Sequence, residues 1–234
     1  MLVQISEKKQ RAQTPSPAEP VPLSEAALAP GREIERLAWD AIQRFKLLAP
    51  GDRVAVAISG GKDSLLLLRL FQRWARRGDL DFQWRAIHLD QRQPGFDHAA
   101  LHRACEALGA ELTVISRDTW SVVEEKRRPG QIPCAICARL RRGILNRWCA
   151  EEGYNKLALG HHLDDAAETF FLNLLYGQRL APLKAATPAS EHPVTTIRPL
   201  LLVEERRIRA WATRSGLAPV DCPVCDSFPD AKRR

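Results

Sequence analysis

The stretch from Val54 to Gly78 joins an apolar strand, a tight glycine turn and a helix in direct succession. Residues 54–58 are short, β-branched and apolar, which is typical of a strand buried on both faces of a sheet. Residues 65–77 have the length and composition of a helix, with basic residues in the last turn and Gly78 as the C-cap. Such a unit constrains the fold strongly, because parallel strands need a crossover connection that is usually a helix.

The same alternation continues along the chain. It predicts strands at 54–58, 84–89, 111–115 and 156–160, and helices at 32–45, 65–77, 97–108, 137–152, 164–176 and 204–215. Alternating strands and helices predict an α/β fold that is doubly wound, with a mostly parallel sheet and helices on both faces. Ligands of such sheets bind at the carboxyl ends of the strands.

Length and composition divide the chain into a tail and one domain. Residues 1–30 are rich in Pro, Ala, Ser and Glu, and their apolar residues show no helical or strand spacing. This composition predicts a disordered tail. Residues 31–234 suffice for a single domain with an N-terminal helix and a C-terminal C-x-x-C segment. No apolar run approaches the ~20 residues of a membrane span, and the first residues lack the apolar core of a signal peptide. We therefore expect a cytoplasmic protein with no membrane partner.

The turn after the first strand, SGGKDS at 59–64, has the composition of a phosphate cradle. Glycines permit positive φ and close backbone approach, and the N-terminus of a new helix adds partial positive charge. A lysine and two hydroxyls at such a turn indicate phosphate, and a tight turn without a ligand is the alternative. The run does not match the Walker pattern, because Asp63 follows Lys62. It also lacks the three spaced glycines of the dinucleotide fingerprint.

The net charge of +7 favours a polyanionic partner. The charge is uneven, since residues 126–147 contain seven Lys and Arg and no acidic residue. A solvated helix face explains most charge runs. This run brackets a cysteine pair, however, and we expect Arg139, Arg141 and Arg142 to contact nucleic-acid phosphates.

Six cysteines in a chain expected to be cytosolic indicate metal binding or catalysis before disulfides. Four of them form two C-x-x-C pairs, which are Cys134 with Cys137 and Cys222 with Cys225. The two pairs are too far apart in sequence for one zinc ribbon, and spacing alone leaves open a structural zinc, a redox dithiol and an iron–sulfur cluster. Cys105 and Cys149 lie inside helical runs, and we expect them to be buried packing residues.

Motifs spread over most of residues 33–230 resemble those of one family. SGGKDS resembles the pyrophosphate-binding loop of the PP-loop ATP pyrophosphatases, which split ATP into AMP and pyrophosphate. Further stretches occur in the order and spacing of the TtcA family, the tRNA 2-thiocytidine synthetases. They are HLDQRQPGF (88–96), PCAICARLRRGIL (133–145), ALGHHLDDAAETFFLNLLYG (158–177), IRPLL (197–201) and DCPVCDSFP (221–229). The link at 178–195 departs from the family pattern, and we expect family members to continue further beyond the last C-x-x-C pair.

The resemblance implies a PP-loop, adenine nucleotide alpha hydrolase-like fold and the activity of a tRNA-cytidine 2-sulfurtransferase. In this reaction ATP, with Mg²⁺, adenylates cytidine 32 of the anticodon loop, and sulfur then replaces the C2 oxygen as AMP leaves. The family contains an oxygen-sensitive [4Fe–4S] cluster on three cysteines, with the fourth iron open for sulfur. The resemblance also implies tRNA and a sulfur donor such as a cysteine desulfurase as partners, and it allows a homodimer.

The resemblance and the phosphate chemistry of the turn assign roles to individual residues. Asp63 is expected to place Mg²⁺ and Lys62 to neutralise phosphate charge. The expected cluster ligands are Cys134, Cys137 and Cys222, with Cys225 as the fallback for the third. The expected ATP-binding residues are Ser59, Gly60, Gly61, Lys62, Asp63, Ser64, Asp90, Gly160, His161 and Asp165. For Asp164 or Asp165, the N-cap of the helix at 164–176 is the alternative role.

Two other functions stay open at this point. One is a zinc-stabilised adenylating ligase of the same superfamily that modifies tRNA or forms an amide. The other is a non-catalytic RNA-binding protein with the same fold. Metal content separates the thiolase from the ligase, because an iron–sulfur cluster colours the protein and zinc does not. Pyrophosphate release that depends on tRNA separates both from the RNA-binding protein.

Overall fold

The computed structural model describes residues 24–78, 80–127, 133–177 and 180–220. The strands are β1 (Asp52–Ala57), β2 (Phe82–Asp90), β3 (Leu112–Ser116), β4 (Lys156–Ala158), β5 (Ala186–Pro188) and β6 (Thr195–Ile197). The helices are α1 (Glu25–Leu28), α2 (Arg32–Arg44), α3 (Lys62–Arg77), α4 (His98–Ala107), α5 (Trp120–Lys126), α6 (Cys134–Glu151), α7 (Leu163–Leu175) and α8 (Glu205–Ser215). Within these residues no helix is long and apolar enough to cross a membrane.

The strands of the described residues form one sheet with the order β3-β2-β1-β4-β6-β5. β1 pairs in parallel with both β2 and β4, and β4 pairs in parallel with β6. β5 is an antiparallel edge strand next to β6. The chain builds outwards from β1 on one side through β2 and β3, and then crosses to β4 on the other side. The strand order therefore reverses between β1 and β4, where sheets of this kind bind ligands. The predicted α/β fold with a mostly parallel sheet is confirmed.

The sheet has a hydrophobic core on each face. Val54 and Val56 of β1 contribute to the core under α2, α3 and α8. Ala55, between them, contributes to the opposite core with Leu145 and Cys149 of α6. Successive side chains of a strand point to opposite faces, so a central strand covered on both sides must be apolar throughout. This burial, at about 1.5–3 kcal/mol for each large apolar side chain, holds β1 and the turn after it in place.

Two helices begin three residues earlier than the spacing of apolar residues in the sequence predicts. α3 begins at Lys62 and α6 begins at Cys134. The first turns of these helices contain polar or small residues, which an apolar period does not reveal. As a result, Asp63 and Cys137 also lie in first helical turns, where the helix dipole provides partial positive charge.

Four short elements, α1, α5, β5 and β6, were not predicted. β5 and β6 have three residues each, which is too short for alternation to be detected. α1 lies inside the predicted tail, but Leu28 is buried and its carbonyl accepts a hydrogen bond from Trp211 Nε1 at 3.2 Å. Folded structure therefore begins before residue 31, while residues 1–23 lie outside the described residues.

Cys105 in α4 and Cys149 in α6 are buried, as predicted. Burial, with a smaller contribution from the charge of Glu106, raises the pKa of the Cys105 thiol to about 11. Burial alone raises the pKa of the Cys149 thiol to about 12. Both thiols are therefore protonated at neutral pH and belong to the packing of the domain.

We expect Cys105 and Cys149 to resist iodoacetamide at pH 8 in the folded protein, because the thiolate is the reactive form. Peptide mass spectrometry after timed labelling measures this directly, and denatured protein labelled in parallel is the control. Labelling of either cysteine at the same rate in folded and denatured protein would contradict the assignment.

Candidate active site

A cavity of about 580 Å³ lies at the carboxyl ends of β1, β2 and β4. Its size is within the range of small-molecule sites. Residues from β1, β2, α3, α6 and the loop after β4 line it, as does Val220 at the end of the described chain. Of the predicted ATP-binding residues, the structure places Ser59, Gly61, Asp63, Ser64, Asp90, Gly160, His161 and Asp165 on its wall. The cavity thus occupies the switch point between β1 and β4.

The glycine turn after β1 is held open towards the cavity by internal hydrogen bonds. Ser64 Oγ donates to the Gly61 carbonyl at 2.9 Å and accepts from the Ser59 N–H at 3.2 Å. Gly60 has φ +95°, and a Cβ there would lie 2.9 Å from Val220 Cβ. Gly60 therefore packs against Val220 and is not one of the described residues that line the cavity. The turn therefore requires glycine at 60, and α3 begins at the cavity with its N-terminal N–H groups available to an anion.

The loop after β4 packs directly onto the first turn of α3. A Cβ on Gly160 would lie 3.0 Å from the carbonyl carbon of Asp63 and 3.1 Å from the Ser64 nitrogen. These are backbone atoms that cannot move aside, so the loop approaches this closely only because residue 160 is glycine. The contact places His161 and Asp165 on the same cavity wall as the glycine turn.

The N-cap residue of α7 is His162, and of the two acids considered for capping this helix, Asp165 takes part through a capping box. The Asp165 N–H donates to His162 Nδ1 at 3.4 Å, and the Asp165 carboxylate accepts from the His162 N–H at 2.8 Å. This reciprocal capping box is worth about 1 kcal/mol and fixes the start of α7. The Asp164 carboxylate accepts instead from the N–H of Glu205, in the first turn of α8, at 2.7 Å.

Asp63 presents a buried carboxylate oxygen to this site. Its Oδ1 accepts no hydrogen bond from the described residues. The Lys62 ammonium lies 3.2 Å from that oxygen, and His162 Nε2 lies 3.9 Å from it. Burial raises the pKa of Asp63, while the charges of Lys62 and His162 act in the opposite direction. A buried carboxylate oxygen beside a phosphate cradle is the donor that Mg²⁺ prefers.

Lys62 is not one of the described residues that line the cavity. Its ammonium forms an ion pair with Glu205 of α8 at 2.9 Å as well as with Asp63. Burial lowers the pKa of Lys62, but the hydrogen bond to Glu205 and the Asp63 charge outweigh it, and the net shift is upwards. Lys62 is therefore a charged side chain at the edge of the turn. To bind phosphate, its ammonium would have to break the ion pair with Glu205.

The β2 side of the cavity combines one acid with an aromatic wall. The Asp90 carboxylate accepts from the Arg92 N–H at 2.8 Å and from Ser116 Oγ at 3.1 Å. The Phe96 ring stacks on His88 with centroids 5.2 Å apart. Burial lowers the pKa of His88, and its Nδ1–H donates to the Ile58 carbonyl at 2.8 Å, so the ring is neutral. This wall offers a flat apolar surface to an aromatic base.

Sequence reasoning missed His88 and Phe96 as wall residues. Both lie inside the stretch HLDQRQPGF at 88–96, whose position after a strand was the available signal. The two rings stack because of the path of the chain between them, and the spacing of apolar residues does not predict that path.

Cys137 lies in the first turn of α6 and contacts two glutamines of the cavity wall. Its thiol donates to Gln91 Oε1 at 3.3 Å, and Gln93 Nε2 donates to its sulfur at 3.7 Å. Arg141 Nη2 approaches the same sulfur at 3.9 Å. Cys134 lies one helical turn earlier and is partly exposed. The structure thus brings the first C-x-x-C pair to the rim of the phosphate site, an arrangement that spacing alone did not establish.

The second C-x-x-C pair, Cys222 and Cys225, lies outside the described residues. Among the described residues, no group of three Cys, His, Asp or Glu side chains is placed to hold a metal ion. A metal bound by Cys134 and Cys137 would therefore need a third protein ligand from beyond Val220 or another undescribed segment.

The α6 side of the cavity is basic. Arg141 and Arg142 line it, whereas Arg139 is exposed and lies off the described wall. Arg198, which follows β6, is buried and donates to the Lys184 carbonyl at 2.7 Å, and its Nε has no hydrogen-bond partner among the described residues. Burial, and then the charge of Arg142, lower the pKa of Arg198. Sequence reasoning missed Arg198, although it lies in the quoted stretch IRPLL.

His161 lies between the acidic and basic walls. Burial, followed by the charge of Arg198, lowers its pKa to about 4, so the imidazole is neutral at pH 7. Its Nδ1 is buried and has no hydrogen-bond partner within the described residues. The cavity therefore offers polar groups on three walls whose hydrogen-bonding capacity is unused, which is typical of a site for a charged ligand.

The family described as the PP-loop domain matches residues 33–221. The tRNA-cytidine(32) 2-sulfurtransferase of Alkalilimnicola ehrlichii is 40% identical over 203 residues, which cover 87% of this chain and 65% of that protein. The enzyme of the same name from Vibrio cholerae is 39% identical over 205 residues, with 87% and 66% covered. The chain thus spans about two thirds of the length of the curated relatives it matches.

Solved structures are similar as well. The U34-tRNA thiolase NcsA from Methanococcus maripaludis, a structure with its [4Fe-4S] cluster, has a TM-score of 0.63 and 26% identity. The match covers 86% of this chain and 74% of that one. An NAD+ synthetase from Burkholderia pseudomallei, at 19% identity and a TM-score of 0.50, shares the fold. Since the PP-loop match extends over most of the chain and includes the glycine turn, the protein belongs to the PP-loop family, and the resemblance to the TtcA family in its motifs is confirmed.

Proposed function

We propose that the protein is an ATP-dependent tRNA thiolase that acts on cytidine, at position 32 of the anticodon loop. The observation that supports this most is one cavity rim that joins a phosphate turn, a C-x-x-C pair and a basic wall. A simple nucleotide hydrolase would not need the last two features. The similarity to sulfurtransferases with that named specificity supports the choice of cytidine 32.

In the first step, the C2 oxygen of cytosine attacks the α-phosphorus of ATP and pyrophosphate leaves. The N–H groups of the glycine turn and of the first turn of α3 bind the departing pyrophosphate. Asp63 Oδ1, which is buried without a hydrogen-bond partner among the described residues, would hold Mg²⁺, and the ion would supply charge neutralisation at the phosphates. The wall of Phe96 and His88 receives the adenine ring. Positioning and charge stabilisation provide most of the catalysis in such a transfer.

The basic wall stabilises charge on the α-phosphate as it becomes part of the adenylated cytidine. Arg142 and Arg198 line the cavity, and Arg198 Nε has no hydrogen-bond partner among the described residues. Neutral His161 can accept or donate a hydrogen bond there without adding charge. In the second step a sulfide-level nucleophile (HS⁻) adds at C2 and loses its proton to solvent, the C2–O bond breaks and AMP leaves with that oxygen. The base reaches the cavity by leaving the anticodon-loop stack, which costs less than extrusion from a duplex.

The thiols fit an iron–sulfur cluster at the rim. Cys134 and Cys137 lie one turn apart in α6, and Val220, two residues before Cys222 in the sequence, lines the cavity. Cys134, Cys137 and Cys222 would hold the cluster, which would supply an open iron site for sulfur. A sulfur donor such as a cysteine desulfurase, a homodimeric state and a cytoplasmic location accompany this proposal.

Replacing Asp63 with Asn should leave the fold intact and reduce tRNA-dependent AMP formation by at least about 100-fold. The amide keeps the shape of the side chain and removes the charge that binds Mg²⁺. AMP release from radiolabelled ATP, with and without tRNA, measures the effect. Asp40→Asn is the matched control, because the Asp40 side chain on α2 is 43% exposed and pairs only with Arg36 among the described residues. Normal AMP formation by folded Asp63→Asn protein would remove Asp63 from the mechanism.

Combined replacement of Arg139, Arg141 and Arg142 by Ala should weaken tRNA binding. Each lost phosphate contact should reduce the slope of log affinity against log salt by ~0.7–0.9. Arg141 and Arg142 line the cavity and Arg139 is exposed, so the first two are expected to contribute most.

Filter binding at several salt concentrations measures this slope. A triple alanine variant of the exposed arginines Arg36, Arg76 and Arg103 removes the same charge elsewhere and is the control. Equal slopes for the two triple variants would assign the α6 arginines to an ordinary solvated face.

Cys134→Ala, Cys137→Ala and Cys222→Ala should each lose the cluster and thiolation, whereas Cys225→Ala should retain most of the cluster. Three ligands leave one iron open for sulfur, and a fourth thiolate would close it. Iron and sulfide counts on anaerobically purified variants measure the outcome. Equal loss in Cys222→Ala and Cys225→Ala would indicate a closed four-thiolate site, and colourless zinc protein would favour an adenylating ligase.

A further inference from the structure

Two glutamine side chains that follow β2 meet at the sulfur of Cys137. Gln91 is only 4% exposed, and its Oε1 lies 3.3 Å from that sulfur. Gln93 Nε2 lies 3.7 Å from the same atom. Both glutamines also line the cavity. Burying an amide costs free energy unless it is hydrogen-bonded, so a buried glutamine aimed at a thiol is a specific arrangement.

The backbone after β2 fixes the position of these two side chains. Arg92, between them, has a φ of 56°, which residues other than glycine rarely adopt. The Asp90 carboxylate holds this turn by accepting from the Arg92 N–H at 2.8 Å. The Gln91 carbonyl accepts from the Trp120 N–H, at the start of α5, at 3.1 Å. Strained backbone that its surroundings hold in place is concentrated at functional sites.

The Gln91 amide can offer the sulfur either an acceptor or a donor. In the structure its Oε1 accepts from the Cys137 thiol and also from Thr119 Oγ1 at 3.3 Å. A cysteine that ligates a metal has lost its proton, so its sulfur accepts hydrogen bonds instead of donating one. Turning the amide over exchanges its oxygen and its NH₂ group in the same space, and the Thr119 hydroxyl can donate or accept. Gln91 can therefore be satisfied in both cases.

We propose that Gln91 and Gln93 are positioning residues that donate N–H···S hydrogen bonds to the Cys137 sulfur when it ligates the iron–sulfur cluster. This inference rests on the proposed function, because it requires that cluster. Reduction adds negative charge to a cluster, and hydrogen-bond donors at its cysteine sulfurs stabilise the more negative form. The two amides therefore raise the reduction potential and hold the Cys137 sulfur beside the cavity wall.

The midpoint potential of the cluster in the anaerobically purified full chain tests the proposal. Gln91→Met keeps the length of the side chain and removes its N–H donor. The equilibrium constant for reduction should fall about tenfold, because a hydrogen bond to a charged acceptor contributes at least that factor. Tenfold corresponds to ~59 mV for a one-electron couple. Gln91→Glu should lower the potential further, because it also adds negative charge beside the sulfur.

A redox titration followed by EPR measures these potentials. Gln43→Met and Gln43→Glu are the matched controls, because Gln43 is exposed on α2 and does not line the cavity. Both control variants should keep the potential of the unmodified protein. A change of fold alone would not shift the potential of a cluster that is still bound, whereas loss of a hydrogen bond to its ligand would.

Gln93→Met provides a second measurement if the Gln91 variants do not fold or do not retain the cluster. It should lower the potential in the same direction by a smaller amount, since its contact with the sulfur is longer. Iron and sulfide counts separate this inference from the proposed function. Unchanged potentials in every cluster-bearing variant of Gln91 and Gln93 would overturn the role of the glutamines and leave the thiolase proposal standing. An unmodified protein that binds no cluster would overturn both.

Discussion

The packing of the β4–α7 loop onto the first turn of α3 is the contact on which the candidate site depends. Gly160 allows this loop to approach within 3.0 Å of the Asp63 backbone, measured from the position a Cβ would take. Because β1 and β4 are neighbours in the sheet, their following loops meet at one edge. The phosphate turn, Asp63 and His161 consequently share one cavity wall.

The cavity is lined by both acidic and basic side chains. Asp63, Asp90 and Asp165 line it together with Arg141, Arg142 and Arg198. Three buried polar atoms, Asp63 Oδ1, His161 Nδ1 and Arg198 Nε, have no hydrogen-bond partner within the described residues. Each such atom costs stability, of the order of 1–3 kcal/mol, that a bound ligand can recover. In the proposed function, a nucleotide with its metal ion would engage the acidic groups, and an anionic intermediate would engage the basic ones.

α6 brings cysteine and arginine side chains together beside the cavity. Its first turn contains Cys134 and Cys137, and the next turn contains Arg141 and Arg142 on the cavity side. Residues three or four apart share a helix face, so the same face that holds the thiols also presents guanidinium groups. Arg141 Nη2 lies 3.9 Å from the Cys137 sulfur, so the thiol and guanidinium groups are in direct proximity.

Local sequence determined the strand–turn–helix alternation, the phosphate turn, the spacing of the cysteines and the burial of Cys105 and Cys149. These features depend on residues near one another in the chain, where backbone preferences and apolar periodicity act directly. Tertiary structure alone decided that Lys62 pairs with Glu205, that Arg198 faces Arg142, and that α7 is exposed in spite of its apolar sequence. Periodicity indicates that a helix has an apolar face but not what covers it, because strand order and helix packing decide which distant elements meet.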